Sequence, residues 1–178
     1  MNMNPREIVQ ALLDSVQKGD FVSARSMLAD DFQFSGPLPE PIDQEAWVGM
    51  NTRLQTAFPD LDYHFKVIGT DGDFVRTSSQ LCGTHRGSFD LTNINMGVIP
   101  ATDKTFSAKP EKTKITVKEN KITAWFVEPT QGADLKSILD QLGQGQSRDL
   151  TRRYTAPDVV ETRPARDAMK VSINAYCA

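Results

Sequence analysis

The chain has 178 residues, 39% of them apolar and 24% charged, with a net charge of −3. That length fits one domain with a tail, the composition is that of an ordinary globular protein, and the weak acidity gives no reason to expect a nucleic acid as partner. Cys82 and Cys177 make neither a disulfide framework nor a metal-ligand spacing, and there is no signal-peptide pattern and no run of about 18 apolar residues, so the expectation is a cytoplasmic protein without a membrane span.

Asn4 followed by Pro5 predicts a helix start, because the Asn side chain can accept from the orphan amides and proline is pre-set for the first helical position. Ile8, Leu12, Leu13 and Val16 recur at helical spacing until Gly19, giving a first helix over 5–18. Asp20 caps a second short helix, in which Phe21, Ala24 and Leu28 share a side and Asp30 and Asp31 mark the end. Phe32 and Phe34 alternate with polar residues in a short strand. Pro37, Pro39 and Pro41 then remove three amide donors, so residues 36–41 are read as a surface crossing. Asp43 is the predicted cap of a third helix, with Ile42 as a hydrophobic staple on Trp47 and a stripe of Trp47, Met50, Leu54 and Phe58.

After Pro59 the period changes from helical to two. Leu61, Tyr63, Phe65 and Val67 alternate with their neighbours in a half-buried strand, and residues 69–73 supply a turn with two glycines. One long strand is expected from Phe74 to Phe89, with Val75, Thr77, Ser79, Leu81, Gly83 and His85 on one face. That mixture of apolar and small polar residues suits a cavity wall, and Gly83 marks a bend or a close approach. Residues 87–104 have no period but carry Phe89, Leu91, Ile94, Met96, Val98 and Ile99, so they are read as a lid or rim. A strand from Thr105 to about Val117 is expected to bulge at Pro110, with Glu111, Thr113, Ile115 and Val117 on one face. In the last strand, Lys121 to Glu128, strict alternation sets Ile122, Ala124 and Phe126 against Thr123, Trp125 and Val127. Asp134, Leu135, Ile138, Leu139, Leu142 and Gly143 make a last short helix. From residue 144 to 178 no period persists, and a basic cluster stands at Arg148, Arg152 and Arg153; this tail is either disordered or docked on a partner subunit.

The order of these elements resembles the nuclear transport factor 2-like, cystatin-like α+β cone, and within it the SnoaL-like polyketide cyclase (ester cyclase) family. The resemblance is carried by Ala57-Phe58-Pro59-Asp60-Leu61, Gly83-Thr84-His85-Arg86-Gly87-Ser88-Phe89, Gly97-Val98-Ile99-Pro100-Ala101-Thr102-Asp103-Lys104, Lys121-Ile122 and Gln141-Leu142-Gly143. It covers about residues 5 to 143 and implies three N-terminal helices on a strongly curved antiparallel sheet, a barrel-like cone with a hydrophobic pocket, and a short C-terminal helix. Characterised members close a ring by an intramolecular aldol reaction without metal or cofactor, using an aspartate as base and a histidine or amide to hold the enolate. The family histidine is present as His85. The family aspartate falls on Thr113, the nearest acid on the same face is Glu111, and the family Glu-His-Trp stretch reads Ala124-Trp125-Phe126.

A carboxylate in an apolar cone loses hydration, and its pKa rises toward that of a useful base. Glu111 is therefore the candidate base and His85 the candidate electrophile; the bland readings are a solvated patch of Lys109, Glu111 and Lys112, and a histidine satisfied by a neighbouring carbonyl. Phe34, Trp47, Tyr63, Phe65, Thr113 and Phe126 are the candidate lining, and the aromatics among them could equally be plain core. Asp60 and Asp62 read as strand-edge solvation, and no phosphate loop, Ser-His-Asp order or metal spacing is present. Two functions stay open: a cofactor-free cyclase or isomerase acting on a small hydrophobic carbonyl compound, and a non-catalytic module that binds a small apolar ligand or pairs with another cone through its outer sheet face. A homodimer is expected in either case, with Arg76, Gln80 and Arg86 on the outer sheet face.

Overall fold

The computed structural model describes residues 4–145, so nearly all of the tail expected from residue 144, with its arginine cluster, lies outside the described residues. Helix α1, Pro5–Lys18, starts as the sequence predicts: the Asn4 side chain accepts from Arg6 N at 3.0 Å, and Gly19 at φ 72° ends it. It buries Ile8, Val9, Leu12, Leu13 and Val16 against the sheet. Helix α2, Phe21–Ser26, is capped by Asp20 but ends earlier than expected, because β1 already runs from Leu28 to Ser35 and takes Asp30 and Asp31 into its exposed stretch. After the proline crossing Asp43 caps α3, Gln44–Ala57, accepting from Ala46 N at 2.9 Å.

The strand expected from Leu61 begins as β2 only at Lys66 and runs to Asp71. Residues before it are held individually: Tyr63 N donates to the Gln17 side chain at 3.0 Å, and His64 has a positive φ of 46°. The single strand expected from 74 to 89 is three pieces, β3 Phe74–Ser79, β4 Cys82–Thr84 and β5 Phe89–Asp90. The chain changes partners at the break, since Gln80 N turns to Tyr63 O and Leu81 O accepts from Ala108 N, so β3 pairs with β8 while β4 pairs with β7. The expected rim is a small hairpin, in which β5 pairs with β6, Val98–Ile99, around a short 3-10 turn at Thr92–Ile94. Pro110 does not bulge one strand but separates two, β7 Thr105–Ser107 and β8 Glu111–Lys118. The sheet closes its sequence with β9, Lys121–Val127, and Asp134 caps α4, Leu135–Gln141.

The main sheet has the order β1-β9-β8-β3-β2. It is open, not a closed barrel, and although antiparallel pairs dominate, β1 runs parallel to β9. Chemistry-bearing alternation survives the broken strands: Val75, Thr77, Ser79 and His85 are buried on β3 and beyond, as are Thr113, Ile115 and Val117 on β8. It fails in β9. There Val117 faces Ile122 but Thr116 faces Ala124, so Thr123 is an extra residue, and the bulge carries Trp125 and Val127 inward and Phe126 outward.

Candidate active site

The inner faces of β3, β8 and β9 meet α3, the proline crossing, the β5–β6 hairpin and α4 around a cavity of about 480 Å³. That size is within the range of sites that enclose a small molecule. Phe34, Trp47, Tyr63, Phe65 and Trp125 form its floor, with Met50, Leu54, Leu81, Leu91, Ile94 and Ile138 as further apolar wall. The aromatic rings lock one another: Trp125 lies 5.7 Å from Trp47, 5.9 Å from Phe65 and 6.3 Å from Phe34, and Tyr63 stacks on Phe65 at 4.9 Å. Interlocked rings of this kind hold a shape that a loosely packed aliphatic wall would not.

Few polar groups interrupt this surface. Asn51, one turn after Trp47 on α3, donates to Trp47 O at 2.9 Å and accepts from the Tyr63 hydroxyl at 3.0 Å. Burial without a charged partner pushes the Tyr63 phenol up, so it is a neutral donor. Glu111 is the first residue of β8 and stands opposite Ser79 of β3, and both line the cavity. Loss of hydration, and secondarily the nearby Asp134 carboxylate, raise the Glu111 pKa from 4.5 to about 7. Asp134 also lines the cavity while its side chain accepts from Ser137 N at 2.8 Å as the cap of α4. A partly buried carboxyl near 7 can be an anion at neutral pH and still hold a removed proton.

Three of the sequence candidates are not in the lining. His85 is fully buried, and its Nδ1 is 3.0 Å from the Thr102 hydroxyl, with Phe58 and Phe89 packed at 5.3 and 6.2 Å from its ring. The chain changes partners after Ser79, and beyond Leu81, the last residue of this run in the lining, the inward side packs against the end of α3 and the hairpin. Arg86 N and Gly87 N both donate to Ala57 O, an otherwise orphan carbonyl at the helix terminus, and a methyl at Gly87 would overlap the Thr56 carbonyl. Burial holds the His85 imidazole below its ordinary pKa, against a smaller opposing pull from Asp103. Thr113 is buried with its hydroxyl bonded to that of Thr77 across the β3–β8 pair. Phe126 is 42% exposed on the outer face because of the β9 bulge.

The cavity also uses residues that pattern reading passed over. Trp125 was hidden by the bulge, since threonine leaves no local mark of an extra residue. Asn51 was legible as the polar residue at helical spacing from Trp47, within the apolar stripe. Asp134 was read only as part of the last helix. Asp60, read as edge solvation, has a structural partner: its carboxylate accepts from Thr84 N at 2.7 Å, which holds it below the usual carboxylate range and fixes the start of the His85 turn.

A family model for SnoaL-like polyketide cyclases matches residues 6–132. No curated protein matches the chain in sequence. Among solved structures, IdmH of Streptomyces antibioticus, a proposed polyketide cyclase, is 25% identical with a TM-score of 0.60, over 79% of this chain and 99% of that one. A proposed SnoaL-like polyketide cyclase of Jannaschia sp. CCS1 is 18% identical with a TM-score of 0.62, over 80% and 96%. AclR of Streptomyces galilaeus, a proposed hydroxylase, is 17% identical with a TM-score of 0.63, over 79% and 96%. The helices, the open curved sheet and the apolar cavity agree with a match that spans most of the described residues, and the chain belongs to the SnoaL-like polyketide cyclase family.

Proposed function

We propose that the protein is a cofactor-free acid/base catalyst acting on a small hydrophobic carbonyl compound held in this cavity, as a cyclase or isomerase. The observation that carries the reading is Glu111, a carboxyl with a pKa raised to about 7 on the wall of a predominantly apolar cavity. Its carboxylate removes a proton from the carbon next to a carbonyl, leaving an enolate and a neutral Glu111. In ring closure the enolate carbon bonds to a second carbonyl carbon of the same molecule, and the alkoxide formed takes the proton back from Glu111. In isomerisation the proton returns to a different carbon. Either cycle balances without an oxidant or reductant, and the apolar wall keeps water from quenching the enolate.

The test is solvent exchange into an activated methylene ketone such as 2-tetralone, followed by NMR in D₂O. The wild type is expected to accelerate loss of the α-proton signal, with a rate that rises with pH through about 7. Glu111→Gln is expected to lower that rate by at least about a hundredfold, the usual worth of a positioned base, while keeping the fold. Full exchange in the variant would remove the assignment. One observation favours a second reading, binding without turnover: the position that carries the family aspartate is Thr113, and its hydroxyl is already engaged by Thr77. Tight ketone binding with no exchange by the wild type would select that reading.

A further inference from the structure

We infer that the Ser79 hydroxyl is the donor that holds the substrate's carbonyl oxygen while Glu111 takes the proton from the neighbouring carbon; this rests on the acid/base reading proposed above. Ser79 ends β3 and is the register partner of Glu111, the first residue of β8. Opposite residues of an antiparallel pair put their Cβ atoms about 4.5–5.5 Å apart on one face. On these strands that closeness is realised two residues along, where the Thr77 and Thr113 hydroxyls bond each other. Ser79 and Glu111 both line the cavity, and among the described residues none hydrogen-bonds the Ser79 hydroxyl or the Glu111 carboxyl. Ser79 is 6% exposed, yet its oxygen is not one of the polar side-chain atoms sealed off without a partner, which are His85 Nε2 and Trp125 Nε1. The surface it keeps is surface on the cavity. Other polar groups of the lining are placed differently: Tyr63 and Asn51 bond each other, Asp134 is an acceptor that caps α4, Asn93 is exposed on the hairpin, and the Arg53 guanidinium lies against Gly49, outside the lining. Ser79 is the uncommitted donor beside the base.

The chemistry needs a donor at that place. When Glu111 takes the α-proton, the C–H electron pair becomes the new carbon–carbon π bond and the carbonyl π pair moves to oxygen. That oxygen is on the atom next to the one deprotonated, so one ligand spans both members of the register pair. Serine keeps its own proton and forms no covalent bond; its O–H donates to the oxygen, and the hydrogen bond strengthens as the charge grows. An interaction that strengthens at the transition state raises kcat more than it lowers KM. His85, the candidate for this role in the sequence, is outside the lining, whereas Ser79 is in it.

Fluorenone and fluorene form a suitable pair of probes, nearly equal in shape, one with a carbonyl acceptor and neither requiring the base. Titrations followed by intrinsic fluorescence are expected to show fluorenone binding the wild type roughly three- to tenfold more tightly than fluorene, the worth of one neutral hydrogen bond. In Ser79→Ala that preference is expected to vanish and the infrared carbonyl band of bound fluorenone to move to higher frequency, while fluorene affinity changes by less than about twofold, since only a hydroxyl is lost. Glu111→Gln is expected to keep the preference and the band. In the D₂O exchange of 2-tetralone, Ser79→Ala is expected to lower kcat roughly ten- to a hundredfold, the worth of a hydrogen bond to a charge, with KM within about threefold and the midpoint of the pH–rate profile unmoved. A midpoint displaced to higher pH would mean that the hydroxyl serves the Glu111 carboxylate instead, and overturns the inference. Equal binding of both probes by the wild type overturns it too, as does a preference that survives in Ser79→Ala. If that variant fails to fold, Ser79→Cys, a weaker donor, is expected to give an intermediate preference and rate, and wild-type values there overturn the inference. Failure of both probes to bind overturns it together with the cavity as a ligand site, whereas a preference lost in Ser79→Ala without any exchange by the wild type removes only the catalytic reading and leaves Ser79 as the holder of the oxygen.

Discussion

Between pH 4.5 and about 7 the folded protein holds a proton on Glu111 that the unfolded chain has lost. Native stability therefore falls as pH rises through that window, by up to roughly 3 kcal/mol in the limit of the full shift. Asp134 contributes to this, and it can be changed without losing its cap, because asparagine caps a helix as well as aspartate does. Asp134→Asn is expected to keep α4 and move the midpoint of the pH–rate profile for ketone exchange toward acid; an unchanged midpoint would assign the whole perturbation to lost hydration. His85 has the opposite sign. Burial lowers its folded pKa, so as pH falls below the ordinary 6.5 the unfolded chain gains a proton that the native imidazole resists, and stability is lost on the acid side. His85→Gln is expected to flatten the fall of melting temperature between pH 6.5 and 5 relative to wild type and to leave fluorene affinity within about twofold, since the side chain is not in the cavity wall.

The contrast between adjacent aromatics in β9 shows what an element can hide. Trp125→Ala removes an interlocked buried ring and is expected to cost about 3–5 kcal/mol, whereas Phe126→Ser, on the exposed outer face, is expected to stay within about 0.5 kcal/mol; urea denaturation of both variants measures the difference. A regular strand would give the reverse ranking. Helix starts were legible because their causes are local: Asn4-Pro5, Asp20 and Asp43 each cap where the sequence places them. The inward phase of β3 and β8 was legible for the same reason, and it brought Glu111 to the cavity. Partner changes were not. Nothing near Gln80 announces that the chain leaves β8 for β7, and that transfer is what separates His85 from Glu111 after alternation had set them on one face.

At the scale of the molecule, the cavity draws on every layer, from the N-terminal helices to α4, so its occupancy is expected to be felt as global stability. A ligand at a hundred times its dissociation constant adds about 2.7 kcal/mol, which for a domain of this size raises the melting temperature by roughly 5–11 °C. Hydrogen exchange with fluorenone bound is expected to slow most at the Ile94 and Met96 amides, which bond within the small hairpin beside the cavity, and least in the exposed stretch of β1 around Asp30 and Asp31; uniform slowing would mean that the ligand tightens the fold without touching the hairpin. Two parts of the lining differ in kind. Pro37 and Pro39 give one a backbone with fixed φ angles, while the other, at Leu91, Asn93 and Ile94, hangs on a hairpin of two-residue strands. A laboratory campaign to retarget the cavity toward longer or bulkier molecules would accordingly find its productive codons in the hairpin, with the proline crossing left as the fixed part of the wall.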